Sequence, residues 1–261
     1  MIGGRQAISS IQTLGKVLGY RVWIQRVRPD WDPVLLDRFI HEDWYRPSDR
    51  RQLYVEGLRR TQSEASDNIA RQMRFDALMQ VAAIAIGRHP HLPIAECGCF
   101  RGHSSYLLAS IQRDASASGE FHIFDSFQGL SELSAEDANA RGVLEKPAAN
   151  QLRNSLAASE VHVARVLESF PQVHLHPGWI PECFPDVEDQ SFGFVHVDVD
   201  LYEPTRCCME FFWPRLGAGG ILACDDYGLT QFPGARRAVD PWRDQAAFFF
   251  QLPFGGCFLV K

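Results

Sequence analysis

The sequence lacks the features that would assign it to several large protein classes. No apolar run reaches about 18 residues, so no membrane-spanning helix is expected. The seven cysteines form no Cys-x-x-Cys pair, so neither a zinc ribbon nor a disulfide framework is indicated, and a reducing cytoplasm is the simplest setting. The motifs G-x-S-x-G and G-x-x-x-x-G-K-[ST] are also missing. A serine hydrolase of that kind and a P-loop ATPase are therefore unsupported.

The chain has no excess of basic residues, so nucleic acid is not an expected partner. Its 26 Lys and Arg residues are outnumbered by 32 Asp and Glu residues, which gives a net charge of −6. Only the first 29 residues are basic, and apolar residues recur there at helical spacing (Ile11, Leu14, Leu18 and Val22). This pattern favours a helix packed on its own domain or at a homo-oligomer contact over one lying on a membrane, and stable membrane insertion is not expected.

Two regions of the chain differ in their hydrophobic pattern. Residues 1–88 are predicted to form a helical N-terminal extension, with the strongest helix over residues 69–86. Residues 89–261 are predicted to form one domain, in which short apolar runs alternate with helical stretches. The predicted strands are 93–97, 121–125, 173–176, 192–198 and 220–224, and the predicted helices are 104–113, 155–167, 204–216 and 234–244.

This alternation predicts an α/β, Rossmann-like domain with a mostly parallel sheet covered on both faces. The Phe-rich segments 246–252 and 257–260 are predicted to form a hairpin that adds an antiparallel C-terminal edge. Residues 130–153 interrupt the alternation with a long polar stretch that follows the second strand. Such a stretch is typical of either a lid over a binding site or a passive insertion.

The turn after the first strand is compatible with a ligand that carries an ammonium and a carboxylate group. Gly98 allows the backbone to approach a ligand closely, and Glu96 could contact the ammonium. Gly102, Ser104 and Ser105 open a helix whose N-terminus favours anions. Because the turn departs from G-x-G-x-x-G, a dinucleotide site is only weakly supported.

The next two strands end in residues suited to a nucleoside. Asp125 ends the second strand, where an acid can accept both hydroxyls of a ribose, and Ser126 and Phe127 follow it, with Phe127 a candidate contact for a purine. The alternative is a capping Asp and a core Phe. Gly178 and Trp179 follow the third strand and could border the adenine end of the pocket or form a simple turn.

Carboxylates end both of the last two parallel strands. Asp198 ends the first of these strands, and Asp225 and Asp226 end the second. If the strands are neighbours, the three acids meet at the edge of the sheet where ligands bind, and they repel one another unless a cation is present. Oxygen ligands suit Mg²⁺, with Asp200 as a substitute for Asp198. Separate capping and turn roles for each Asp are the alternative.

The sequence offers several candidates for a general base near this edge. Asp198 itself, His103, His176 and His196 are all predicted to lie close to it. A lone His in an apolar strand, such as His196, is more often a core residue.

Six motifs occur in a characteristic order between residues 65 and 245. They are Glu96-Cys97-Gly98 through Arg101-Gly102, Phe124 through Leu130, Asp198 through Thr205, Gly219-Gly220, Asp225-Asp226-Tyr227 and Ala238-Val239-Asp240. In this order they resemble the macrocin O-methyltransferase (TylF-type) family of class I S-adenosylmethionine-dependent methyltransferases. The resemblance implies a methyl donor at Glu96, Gly98 and Asp125, and Mg²⁺ on Asp198, Asp225 and Asp226. It also implies methylation of a sugar hydroxyl on a natural product.

The sequence thus predicts a Mg²⁺-dependent O-methyltransferase that acts on a hydroxyl of a small molecule, such as a glycoside or polyol. No lysine follows Asp198 in Val199-Asp200-Leu201-Tyr202, which disfavours the lysine-assisted mechanism of catechol-type relatives. Two alternatives stay open, namely an NAD-type oxidoreductase and a non-catalytic binding protein on the same fold.

Overall fold

The computed structural model describes residues 49–62, 68–138, 151, 153–229 and 233–261. The predicted basic helix within the first 29 residues and residues 139–150 and 152 of the predicted loop lie outside this part. The α-helices are α1 (Asp49–Thr61), α2 (Ile69–Arg88), α3 (His103–Asp114), α4 (Glu160–Leu167), α5 (Tyr202–Arg215) and α6 (Gly234–Val239). The strands are β1 (Ile94–Cys97), β2 (Phe121–Asp125), β3 (Val173–Pro177), β4 (Phe192–Val197), β5 (Leu216–Cys224), β6 (Phe248–Gln251) and β7 (Cys257–Val260).

The strands form one seven-stranded sheet in the order β3-β2-β1-β4-β5-β7-β6. Strands β1 to β5 are parallel, whereas β7 runs antiparallel to β5 and β6 antiparallel to β7. The predicted Rossmann-like class with its antiparallel C-terminal edge is confirmed. Because the chain starts at β1, moves outward to β3 and then returns to β4, the sheet has its switch point between β1 and β4, where open α/β sheets bind ligands.

Apolar side chains cover both faces of the central strands. Every residue of β1 and β4 is buried, which explains why these strands appear in the sequence as continuous apolar runs. One core cluster includes Phe75 and Leu107 from α2 and α3, and the other includes Phe212 from α5. Helices therefore pack on both faces of the sheet, as the alternating pattern predicted.

Several predicted element boundaries differ from the structure by one to five residues, and three of these differences have clear local reasons. Helix α5 begins at Tyr202 and contains Pro204 in its first turn, where a missing N–H costs no helical hydrogen bond. Helix α4 begins only at Glu160, because Ser159 caps it by accepting a hydrogen bond from the His162 amide. The last predicted helix is α-helical only to Val239 and continues as a 3₁₀ helix, since Pro241 cannot donate to an α-helical carbonyl.

Helices α1 and α2 belong to the predicted N-terminal extension, yet α2 packs directly on the sheet. The N-cap of α2 is Asn68, whose side chain accepts a hydrogen bond from the Arg71 amide at 3.0 Å. From there α2 contacts α3, β4 and β5. The domain boundary at residue 88 stays a prediction. Within the described ranges, no helix is both long and apolar enough to cross a membrane.

Candidate functional site

A cavity of about 370 Å³ opens at the carboxyl ends of the parallel strands. Its wall includes Gly98 after β1, Asp125 at the end of β2, Gly178 after β3, Asp198 after β4 and Asp225 after β5. Since all five parallel strands end at this edge, residues from distant parts of the chain converge on one space. Five further predicted site residues line the same cavity, namely His103, Ser104, Ser126, Trp179 and Asp226, whereas Gly102 does not.

Gly98 permits a close approach between the ends of β1 and β4. Its φ is +83°, and a Cβ atom built on it would overlap the carbonyl oxygen of Asp198. Gly102, also at φ +83°, is the N-cap of α3. Both positions need a backbone conformation that only glycine adopts readily. The close approach at Gly98 is to the Asp198 carbonyl, which follows β4. A close approach of this turn to a ligand stays a prediction.

We expect Gly98→Ala to destabilise the fold by about 2–4 kcal/mol, because the positive φ and the overlap with the Asp198 carbonyl both oppose a side chain. Chemical denaturation measures this free energy of unfolding. Gly87→Ala is the matched control, since Gly87 is an exposed residue of α2 with no atom within 4 Å of its built Cβ. The control should be stabilised by up to about 1 kcal/mol. Equal stabilities of the two variants would contradict this role for Gly98.

Asp125 holds the turn between β1 and α3 in place. Its Oδ2 atom accepts hydrogen bonds from the amides of Cys99 at 2.7 Å and Phe100 at 3.1 Å, and its Oδ1 atom accepts from the Phe127 amide at 2.7 Å. Each carboxylate oxygen offers two lone pairs, so Oδ2 is fully used and Oδ1 keeps one site for a ligand hydroxyl. The carboxylate is therefore pre-oriented on the cavity wall, as a ribose-binding acid would need to be.

The other predicted nucleoside contacts divide into two groups. Gly178 and Trp179 lie on the cavity wall, and the Gly178 amide donates to the backbone carbonyl of Asp125 at 2.9 Å. Ser126 also lies there and donates its hydroxyl to the Gly129 carbonyl at 3.1 Å. Phe127 instead packs against the core on the side of α2 and α3 and is not part of the wall. The structure therefore brings Trp179, rather than Phe127, to the cavity as an aromatic surface.

Glu96, Ser105 and His196 form a buried network outside the cavity wall. Glu96 is fully buried, and its carboxylate accepts a hydrogen bond from the Ser105 hydroxyl and lies 2.9 Å from Nδ1 of His196. Burial lowers the pKa of His196, but the hydrogen bond and charge of Glu96 outweigh burial and raise this pKa overall. The structure therefore does not bring these three residues to the cavity, because Glu96 and His196 are register partners inside the sheet.

His103 lies on the cavity wall, but both of its ring nitrogens have partners. Nε2 is 3.0 Å from the Tyr54 carbonyl oxygen, and Nδ1 is 3.0 Å from Nη2 of Arg71. Since Arg71 can only donate, Nδ1 must accept, and Nε2 then donates to the carbonyl. The ring also stacks on Phe75 at 4.9 Å. His103 thus connects α1, α2 and α3, and its role as a base stays a prediction.

Asp198, Asp225 and Asp226 meet where β4 and β5 end at the cavity. One carboxylate oxygen from each lies within 4.8 Å of the others, and within the described residues this is the one group of three or more His, Cys, Asp or Glu side chains that could hold a metal ion. The strand ladder positions them, since the Asp198 amide donates to the Cys97 carbonyl and the Asp225 amide to the Val197 carbonyl. Asp200 lies beside them at φ +60°, and its amide donates to Oδ2 of Asp226 at 2.7 Å.

The charges of these carboxylates oppose one another. Burial and the charge of Asp225 raise the pKa of Asp198 to about 8, and the same two causes raise the pKa of Asp200 to about 6. Burial and the charges of Asp200 and Asp198 raise the pKa of Asp226 well above its ordinary value. A divalent cation would relieve this repulsion. Three carboxylates supply the hard oxygen ligands that Mg²⁺ prefers, so the residues present fit that ion.

Arg74 of α2 is a site residue that the sequence motifs do not single out. Its Nε atom donates to Oδ1 of Asp225 at 3.2 Å, and its Nη2 atom lies 3.0 Å from Oδ2 of Asp225. Burial lowers the pKa of Arg74, but the negative charges of Asp225, Asp198 and Asp226 outweigh burial and raise this pKa overall. The available signal was helical spacing, because Arg71 and Arg74 recur with buried Phe75 and Leu78 along one side of α2.

The start of the predicted loop 130–153 and Leu156, just after its end, border the same cavity. Leu130, Ser131 and Leu156 line it, and Leu130 packs with Leu201. Near its start, Ala135–Asp137 form a 3₁₀ turn in which Asp137 accepts a hydrogen bond from the Tyr202 amide at 2.8 Å. The segment is therefore anchored beside the cavity, and its role as a lid stays a prediction.

Comparison with known proteins agrees with this geometry. The sequence model of the macrocin-O-methyltransferase (TylF) family matches residues 9–251. The chain is 29% identical over 175 residues to a demethyldecarbamoylnovobiocin O-methyltransferase of Streptomyces niveus, which covers 65% of each chain. It is 28% identical over 155 residues to a rhamnosyl-tetracenomycin-C 4′-O-methyltransferase of Streptomyces olivaceus, covering 58% of this chain and 57% of the relative. The match thus spans less than two thirds of either relative.

A solved structure supports the same assignment. The O-methyltransferase NovP superimposes with a TM-score of 0.60 at 27% identity, covering 72% of this chain and 79% of NovP. The fold is thus that of the class I methyltransferases, as the sequence motifs predicted.

Proposed function

This chain belongs to the macrocin-O-methyltransferase (TylF) family, and from that premise we propose that it is a Mg²⁺-dependent methyltransferase. It transfers the methyl group of S-adenosylmethionine to a hydroxyl of a small molecule, in particular a sugar of a natural product. The observation that carries this proposal is the placement of Asp198, Asp225 and Asp226 in the same cavity as Gly98 and Asp125. A methyl donor and a metal-held acceptor can then meet in one space.

The donor side of the cavity is formed by the ends of β1, β2 and β3. Oδ1 of Asp125 is proposed to accept a hydrogen bond from a ribose hydroxyl, with Trp179 beside the adenine. The N-terminus of α3, opened by Gly102 and Ser104, is proposed to receive the carboxylate of the amino acid part. Glu96 is then a positioning residue for this turn rather than a direct contact, because its oxygens bind Ser105 and His196.

The acceptor side is formed by the ends of β4 and β5. Asp198, Asp225 and Asp226 are the residues that would hold Mg²⁺, and a bound ion lowers the pKa of a hydroxyl that it coordinates. Asp198 is proposed to take the hydroxyl proton, since His196 lies outside the cavity and Nδ1 of His103 already accepts from Arg71. The acceptor oxygen forms a bond to the methyl carbon as the carbon–sulfur bond breaks, leaving a methyl ether and S-adenosylhomocysteine.

The names of the two Streptomyces relatives support a glycosylated acceptor. One acts on a demethylated novobiocin derivative and the other on a rhamnosyl group of a tetracenomycin. Each name describes O-methylation of a natural product, and the second name specifies a sugar. We therefore propose glycosides with neighbouring hydroxyls as the first acceptors to test.

The direct test is incubation with labelled S-adenosylmethionine, Mg²⁺ and a panel of sugars, glycosides and phenols. Label is expected in a glycoside or sugar, and an excess of EDTA should abolish transfer until Mg²⁺ is restored. Full transfer in the chelator would overturn the metal role. Titration calorimetry with S-adenosylhomocysteine and NAD separates the two alternatives. Tight binding of NAD alone would favour an oxidoreductase, and cofactor binding without transfer to any acceptor would favour a binding protein.

A further inference from the structure

Resting on the proposed Mg²⁺ site, we infer that Arg74 is a built-in competitor of the divalent cation. Its guanidinium pairs with the Asp225 carboxylate when the ion is absent. When the ion is present, the same guanidinium weakens the binding of the ion. The inference assigns a role to a residue of α2, a helix that contributes none of the proposed metal ligands. It also predicts a metal affinity that is lower than three clustered carboxylates would provide by themselves.

The contact between Arg74 and Asp225 involves both oxygens of the carboxylate. Nε approaches Oδ1 at 3.2 Å and Nη2 approaches Oδ2 at 3.0 Å, a two-pronged geometry that is the strongest form of this ion pair. Only 18% of the Arg74 side chain and 11% of the Asp225 side chain are exposed, so water screens the pair weakly. A metal ion that uses Asp225 must share its oxygens with this guanidinium or displace it.

Arg74 differs from the other basic residues of the cavity wall. Arg71 donates to the Tyr54 hydroxyl at 2.9 Å and lies over the Phe75 ring at 4.5 Å. Arg101 donates to the Thr61 carbonyl at 3.0 Å. Along the described wall, Arg74 is therefore the cation that pairs with the proposed metal ligands.

The charge balance makes the two cations antagonistic. Guanidinium stays protonated in proteins, so Arg74 cannot avoid repulsion by losing its proton. A divalent ion on the same carboxylate would be a like charge beside this guanidinium, and like charges that share a weakly screened carboxylate oppose each other by more than RT. Loss of this charge should therefore tighten metal binding.

The surroundings of Arg74 leave space for its side chain to move. It borders the main cavity of about 370 Å³, which a guanidinium can enter, whereas the space of about 10 Å³ that it shares with His196 and Asp225 holds at most about one water molecule. The Arg74 Cδ atom passes near Gly255 of the turn between β6 and β7, at 3.6 Å from a Cβ built there. Displacement by an incoming ion therefore requires no change in the sheet.

The test is calorimetric titration of Mg²⁺ into Arg74→Gln, Arg74→Lys and the unchanged protein. We expect the Kd for Mg²⁺ to fall about tenfold in Arg74→Gln, which lacks the charge, and to stay within about threefold in Arg74→Lys, which keeps it. The control is Arg88→Gln, the same charge change at an exposed position of α2, where the Kd should not change. Without Mg²⁺ the melting temperature of Arg74→Gln should be lower, and its rise on adding Mg²⁺ should be larger.

An equal or higher Kd in Arg74→Gln would overturn the inference, because Arg74 would then merely orient Asp225. A wild-type protein that binds no Mg²⁺ would instead contradict the metal part of the proposed function, so the two failures are distinguishable. If Arg74→Gln fails to fold, Arg74→Met retains the apolar stem without the charge, and the same tightening is expected.

Discussion

Replacing Asp225 and Asp226 together with asparagine is expected to reduce methyl transfer by at least about a thousandfold while leaving S-adenosylhomocysteine binding nearly unchanged. The two amides keep the size of the side chains but remove two of the three charges that meet within 4.8 Å. The donor side, built from the turn after β1 and the end of β2, is not part of the change. The double variant should therefore lose turnover but keep its cofactor affinity.

Rates with a labelled methyl donor and titration calorimetry with S-adenosylhomocysteine measure the two quantities. The control is Asp244→Asn, which removes one negative charge from the same C-terminal region. Asp244 is exposed on the 3₁₀ helix that follows α6. It should keep the rate and the affinity. A double variant that retains more than about a tenth of the rate would rule out the proposed role of these carboxylates.

Asp125→Ala is expected to raise the Kd for S-adenosylhomocysteine by about a hundredfold or more. The change removes the proposed acceptor for a ribose hydroxyl, and charged hydrogen bonds of this kind contribute roughly 1.5–3 kcal/mol. It also leaves the amides of Cys99, Phe100 and Phe127 without the carboxylate that orients them. Both effects act on the donor side, so cofactor affinity is the sensitive quantity.

Two further variants identify the cause of that loss. Asp125→Asn keeps one oxygen acceptor and should weaken binding less than Asp125→Ala does. Asp114→Ala is the control, because Asp114 is an exposed residue at the end of α3. Circular dichroism establishes that each variant is folded. An affinity for Asp125→Ala within about threefold of the unchanged protein would contradict ribose binding by this residue.

The structure differs from the sequence prediction more at the donor site than at the metal site. Asp125, Gly178 and Trp179 lie on the cavity wall as expected, whereas Glu96 and Ser105 are paired with each other away from it. The local sequence is the same whether the acid two residues before Gly98 lines the cavity or is buried within the sheet. Only the register of β1 with β4 decides that Glu96 faces His196, and those partners are 100 residues apart.

The sequence by itself determined the order of strands and helices, the sheet class and the strand ends that carry Asp125, Asp198, Asp225 and Asp226. Local periodicity is sufficient for these features, because the carboxyl ends of parallel strands always meet at one edge. Only the tertiary structure decided that Arg74 reaches Asp225 across 151 positions of the chain. Such a pairing depends on how α2 docks on the sheet, and docking is set by the packing of many side chains rather than by any local pattern.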